Sequence, residues 1–295
     1  MNPLYVNLWG QYLMVVGSVL YRFASKAAGN LAPFVGSASR VLINLIVVVS
    51  IFLCLKTFKS RKELLGKKPK YLMIWGLLGA ATIFCFFQSL ELVGVGVATF
   101  LLKTNGAFMV LLSPLWWGVR PPITHYLNAV ICILGSFLLL PDALDQGWVG
   151  FVFGMLAGIS SAFAYLVVGK KMNQESTLSI MFFWSIAGIL LHIIVFPFKN
   201  IEGTSHTSVW MFILASSLIS SIGQYWVTGS YKSKNNWTVG LISYSSCIFA
   251  LILDYFLLNI DFSPRQMFGV LILFLANLSI LFPAGFKLRK DSLKA

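Results

Sequence analysis

The chain has 295 residues, 58% of them apolar and only 11% charged, and a formal net charge of +13. So few charges exclude a water-soluble core of this size and indicate an integral membrane protein. The basic excess lies between apolar runs and at the C-terminus, as loop charges facing membrane lipid would, and no basic-aromatic module is present, so no nucleic-acid partner is expected.

Ten apolar runs follow one another: Leu4–Tyr21, Val41–Leu55, Tyr71–Leu90, Val93–Val119, Ile123–Leu140, Trp148–Gly169, Thr177–Phe198, Ser208–Tyr231, Thr238–Asn259 and Met267–Phe286. Their apolarity is continuous rather than alternating, which predicts membrane helices and not barrel strands. Met1 to Tyr21 carries no charge, so the first run lacks the basic start of a cleaved signal and is expected to stay as a span. The second run is short as written and lengthens backwards through Leu31 to Ser39 if Arg40 is tolerated near the membrane edge.

The fourth run carries the strongest signal. Lys103 is the eleventh of its 27 residues, a depth at which a cation costs about 2.5–3.5 kcal/mol on insertion scales. Such a cost is expected where the side chain faces a protein-lined or wet interior. Asn105 and Pro114 on the same run agree, because proline leaves a carbonyl without its helical donor.

Basic residues orient the chain. With a cytoplasmic N-terminus, sixteen of the 22 lysines and arginines fall on inner loops and the tail, chiefly in Lys56–Lys70 and Lys287–Lys294. Arg22, Lys26, Arg40, Lys199 and Arg265 fall outside. Both termini are therefore expected in the cytoplasm.

Shifting the sequence by 142 residues lays Pro122 on Pro264 and Pro141 on Pro283. Two halves of five helices follow, 1–145 and 146–295, with opposite orientations because five is odd. Inverted repeats place a binding site at their interface near the midplane.

The stretch SLELVGVGVATFLLKTNGAFMVLLSPLWWGVRPPITHYLNAVICILGSFLLLP, with GFVFGMLAGISSAFAYLVVGKKM and DFSPRQMFGVLILFLANLSILFP, resembles the fourth and fifth, sixth and tenth helices of the EamA-type members of the drug/metabolite transporter superfamily. Lys26 and Arg40 resemble that family's basic residues after the first helix and at the start of the second. The resemblance covers essentially the whole chain and implies an all-α integral membrane protein of ten transmembrane helices, two inverted five-helix repeats, moving small metabolites by alternating access. Gly118 and Val119 stand where the family often has an acidic-basic pair, and Lys103 is a departure from an average member.

Lys103 leads the candidate site, offering positive charge to a substrate carboxylate or phosphate. Asn105, Gln224 and Tyr244 rank next, because polar groups at depth need partners. Trp184, Tyr165, Trp9 and Gln11 could complete a cavity that stacks a planar substrate. Asp254 and Glu91 are candidate counter-ions or coupling groups. Arg22, Lys26 and Arg40 are expected to cluster at the outer mouth and draw in an anion. Gly154 with Gly158, and Gly76 with Gly79, form small faces for close helix approach. His192 reads as a hydrogen-bonded packing residue.

The four cysteines lie in apolar runs without metal-ligand spacing, and no metal or cofactor is expected. With no phosphate loop, HExxH or nucleophile elbow, the reading is a secondary transporter and not an enzyme. The expected substrate is an amino acid, a nucleotide-like or an S-adenosyl compound. The rivals are the same fold carrying a cationic or neutral solute, with Lys103 in a structural ion pair, and a membrane enzyme or scaffold. The expected setting is a bacterial inner membrane, with lipids as neighbours and the chain as monomer or homodimer.

Overall fold

The computed structural model of the chain describes residues 3–29, 31–54, 64–118, 120–139, 144–171, 174–195, 207–232, 239, 243 and 245–276. Four helices open on proline: α1 (Pro3–Ala27), α2 (Pro33–Cys54), α3 (Pro69–Val93) and α11 (Pro264–Ala276). Proline suits that position because its ring presets a helical φ and the missing N–H would have been unpaired there anyway. Between them stand α4 (Val95–Lys103), α5 (Asn105–Trp117), α6 (Ile123–Phe137), α7 (Leu144–Lys171), α8 (Thr177–Val195), α9 (Thr207–Ser230) and α10 (Ser245–Leu258). No β-strand occurs among the described residues.

Six stretches are long and apolar enough to cross a membrane: α2, α3, α4 with most of α5, most of α7, and the whole of α8 and of α9. The apolar helices α6, α10 and α11 are shorter. The protein is therefore a multi-pass membrane protein. One boundary differs from expectation. Helix α2 begins at Pro33 and not at Val41, so Arg40 sits seven residues, about 10 Å, inside it.

The helices of one half pack mainly on those of the other. Helix α1 lies along α9, and α7 lies along α3; α2 meets both α8 and α9, while α8 meets both α2 and α3. Glycine makes the α1–α9 crossing possible. A Cβ on Gly10 would stand 2.7 Å from the Gly223 carbonyl oxygen, and one on Gly223 would stand 2.5 Å from that of Gly10. The backbones touch, as small residues permit in lipid, where helix association depends on contact rather than on expelling water. Gly154 and Gly158 likewise admit α4, and Gly76 admits the backbone at Phe183 of α8.

Polar clamps fix these contacts, since buried polar groups in a dry interior need partners. Asn7 donates to Ser230 (2.8 Å), and Asn44 to Ser185 (2.7 Å) and to the Met181 carbonyl (3.3 Å). His192 lies 2.7 Å from the Gly188 carbonyl through Nδ1 and 2.7 Å from the Ser37 hydroxyl through Nε2.

Candidate functional site

The site is built on a break in the fourth apolar run. Helix α4 stops at Lys103 and α5 resumes at Asn105. At Thr104 the chain tightens: its N–H donates to the Leu101 carbonyl at 3.2 Å, and its hydroxyl donates to the same oxygen at 2.6 Å. The break gathers Lys103, Thr104 and Asn105 in the interior, exposed by 3%, 0% and 2%. Further along, Pro114 cannot donate to the Val110 carbonyl, and the Ser113 hydroxyl does so instead at 2.9 Å.

The Lys103 ammonium donates to the side-chain carbonyl of Gln11 on α1. Arg40 of α2, also buried, faces the same cavity of about 20 Å³ as Lys103 and Gln11. Its Nε and Nη2 have no hydrogen-bond partner among the described residues. No described carboxylate stands within ion-pairing distance of Lys103 or Arg40. Lys103, Met14, Ile83, Phe86 and Leu102 form a shared wall with a second cavity of about 50 Å³. Trp75, Trp184, Tyr165, Asn105 and Gln224 line its far side. These volumes hold a few waters at most, whereas a small-molecule pocket needs about 300 Å³ or more. Neither cavity is large enough for a small molecule as it stands.

The remaining expected residues divide sharply. Asn105 donates to Ser161 of α7 (2.9 Å), and Gln224 to Thr228 (3.0 Å). Tyr165 stacks on Tyr231 with ring centres 3.7 Å apart. Trp9 is 58% exposed, lies edge-on to Tyr12 and lines neither cavity. Tyr244 lies outside the described residues. Arg40 was expected at the outer mouth beside Arg22 and Lys26; its depth in α2 puts it with Lys103 instead.

Arg22, Lys26, Glu91 and Asp254 form a different group, near the C-terminal end of α3. Arg22 pairs with Glu91. The Lys26 ammonium donates to the Leu258 carbonyl at the end of α10 (2.8 Å). Asp254, fully buried, accepts the Gly96 N–H at 2.5 Å and so caps the start of α4. Gly94, at φ +86°, makes the turn between α3 and α4 that presents this N–H. Arg22 and Glu91 also edge a cleft of about 590 Å³ shared with Asp261 and Gln266. At the other end of α3, Glu175 accepts the Lys67 N–H (2.9 and 3.0 Å) and Lys232 donates to the Glu175 carbonyl. Burial pushes the Lys232 ammonium below its usual pKa, and the nearby Glu175 opposes that fall.

Sequence reading passed over Trp75, Phe86 and Ser161. A signal existed for the first two: Trp75, Gly79, Thr82 and Phe86 recur at helical spacing and share the cavity face of α3. No group of three or more His, Cys, Asp and Glu suited to a metal occurs among the described residues.

The profile of the EamA-like transporter family matches residues 5–140 and again 148–282. An uncharacterized transporter of Helicobacter pylori (strain J99) is 22% identical over 290 residues, covering 95% of this chain and 97% of that protein. The pseudopaline exporter CntI of Pseudomonas aeruginosa (strain UCBPP-PA14) is 23% identical over 179 residues, 60% of this chain and 63% of the exporter. A solved crystal structure shares the fold at a TM-score of 0.67 and 18% identity, covering 92% of this chain and 95% of its own.

Proposed function

The chain belongs to the EamA-like transporter family, a family of transporters rather than enzymes, and we propose that it carries a small carboxylate- or phosphate-bearing metabolite by alternating access. One observation carries the anionic preference: Lys103 and Arg40 face one cavity, both buried, with no described carboxylate to balance them. Two cations in a poorly screened interior repel each other and pull strongly on an anion. The amino acid, nucleotide-like and S-adenosyl compounds named above all bear a carboxylate or phosphate, or occur in forms that do.

The transport frame is ten spans in two inverted halves, 1–145 and 146–295, with both termini in the cytoplasm of a bacterial inner membrane. The double family match supports the halves, as does the way α1 on α9 is echoed by α7 on α3. The bias of basic residues to one side supports the orientation. The site lies where the halves meet, since α1 to α5 supply Gln11, Arg40, Trp75 and Lys103 while α7 to α9 supply Tyr165, Trp184 and Gln224. Similarity to a protein named as an exporter favours the outward direction.

The rival of a cationic or neutral solute requires Lys103 in an ion pair, and Gln11 occupies that place instead. Proteoliposome uptake of labelled carboxylates, phosphates and amines decides between the two. The expected result is accumulation of an anion, lost in Lys103→Gln. Accumulation of amines alone, undiminished in that variant, would overturn the proposal.

A further inference from the structure

The two cavities on either side of Lys103 differ in chemistry, and the difference describes the substrate more closely than charge alone. The smaller one presents the guanidinium of Arg40 with two nitrogens unpartnered. The larger one is walled by rings, with Trp184 pressed against α3 where Gly79 leaves no Cβ: one built there would meet the indole at 2.7 Å. Tyr165 is held flat by its stack on Tyr231, at 15° between the planes. Rings fixed in this way offer faces to a planar group at little entropic cost.

Two residues that line the larger cavity each carry a buried polar atom that remains unmatched. The Trp75 indole N–H, a donor, and the Asn105 side-chain carbonyl, an acceptor, are both buried without a partner among the described residues. Asn105 donates an amide N–H to Ser161, with its carbonyl left over. Buried groups of this kind are nearly always paired in the working protein. A ring edge carrying a C=O and an N–H satisfies both at once, the C=O accepting from Trp75 and the N–H donating to Asn105.

We infer that the substrate has two ends, an anionic group held by Arg40 and Lys103 and a planar heterocycle with a lactam-type C=O/N–H edge read by Trp75 and Asn105. This rests on the anionic reading above and narrows it to heterocyclic acids of the nucleobase-like kind. Simple aliphatic acids lack the ring and its edge. They leave Trp75 and Asn105 unpaired, a penalty that gives such sites strong selectivity.

Four probes separate the two ends in a melting titration of the detergent-purified chain: orotate carries both, benzoate the anion and a plain ring, hexanoate the anion alone, and uracil the edge alone. The expected order has orotate stabilising at concentrations about tenfold below benzoate, with hexanoate weaker still and uracil without effect. Trp75→Phe keeps an aromatic ring but removes the donor together with part of the volume of the buried indole. Orotate and benzoate are therefore compared within the variant, where orotate should fall to benzoate's level. Hexanoate equal to orotate overturns the two-ended substrate but leaves the anionic reading standing. Uracil equal to orotate overturns both. No stabilisation by any of the four, or a Trp75→Phe protein that still prefers orotate, also overturns the inference.

Discussion

Two groups of charge lie on different helices, Arg22, Lys26, Glu91 and Asp254 on α1, α3 and α10, and Lys103 and Arg40 on α4 and α2, and the fold balances them differently. Near the C-terminal end of α3, each charge has at least one partner supplied by the fold: Arg22 has Glu91, Lys26 has the Leu258 carbonyl, and Asp254 has the Gly96 N–H, while Arg22 Nε, Glu91 Oε1 and Asp254 Oδ1 have none among the described residues. At the centre, Lys103 has only the neutral Gln11, and Arg40 has two nitrogens with no partner. A buried charge that the fold balances belongs to the structure, and removing its partner is costly. A buried charge that the fold leaves unbalanced is expensive to keep, and a ligand of opposite sign recovers that cost only when it binds. The first group joins α1, α3, α4 and α10 at one end of the molecule, while the second waits in the middle.

Asp254→Ala is the sharpest way to break this contrast. It orphans the Gly96 N–H and leaves Arg22 and Lys26 near an empty position, so stability should fall by about 3 kcal/mol, read as a lower melting temperature in detergent. Lys103→Gln should do the reverse: melting unchanged or raised, and anion affinity weakened by about 2–3 kcal/mol, a factor of roughly 30 to 150. Arg22→Gln and Glu91→Gln should each destabilise by about 1–2 kcal/mol, because the pair is only 13% and 9% exposed. The double variant should recover part of that loss in a melting-temperature cycle. Ser161→Ala, which removes one neutral hydrogen bond to Asn105, should cost about 1 kcal/mol, and a loss of several times that would mean Asn105 is held by more than this contact.

Much of this contrast was visible in the sequence, but unevenly. Continuous apolar runs revealed the membrane class, and a lysine eleven residues into one of them revealed the centre of the site. The place of Arg40 was obscured because an arginine reads as the edge of a span; only Pro33, in the first position of α2, marks the true start. Trp9 was grouped with Gln11 for its polarity and depth, yet two residues along a helix turn the side chain about 200°, so the pair cannot share a face. The break at Thr104 falls on the polar stretch Lys103-Thr104-Asn105-Gly106 of its apolar run, a local signal for charge at depth that also marks where the helix is interrupted. Asp254 caps a helix that precedes it by 158 residues, a contact that only the folded chain reveals.

The account depends most on the claim that Lys103 and Arg40 are unbalanced until an anion arrives. Melting curves of wild type, Lys103→Gln and Arg40→Gln, each with succinate, phosphate or choline, test it directly through ligand stabilisation of the folded state. The account predicts that at least one of the two anions stabilises the wild type, that neither does so in the variants, that choline stabilises none, and that both variants melt no lower than wild type without ligand. A wild type indifferent to both anions, with variants that melt several degrees lower, would show the two cations to be structural and contradict the account.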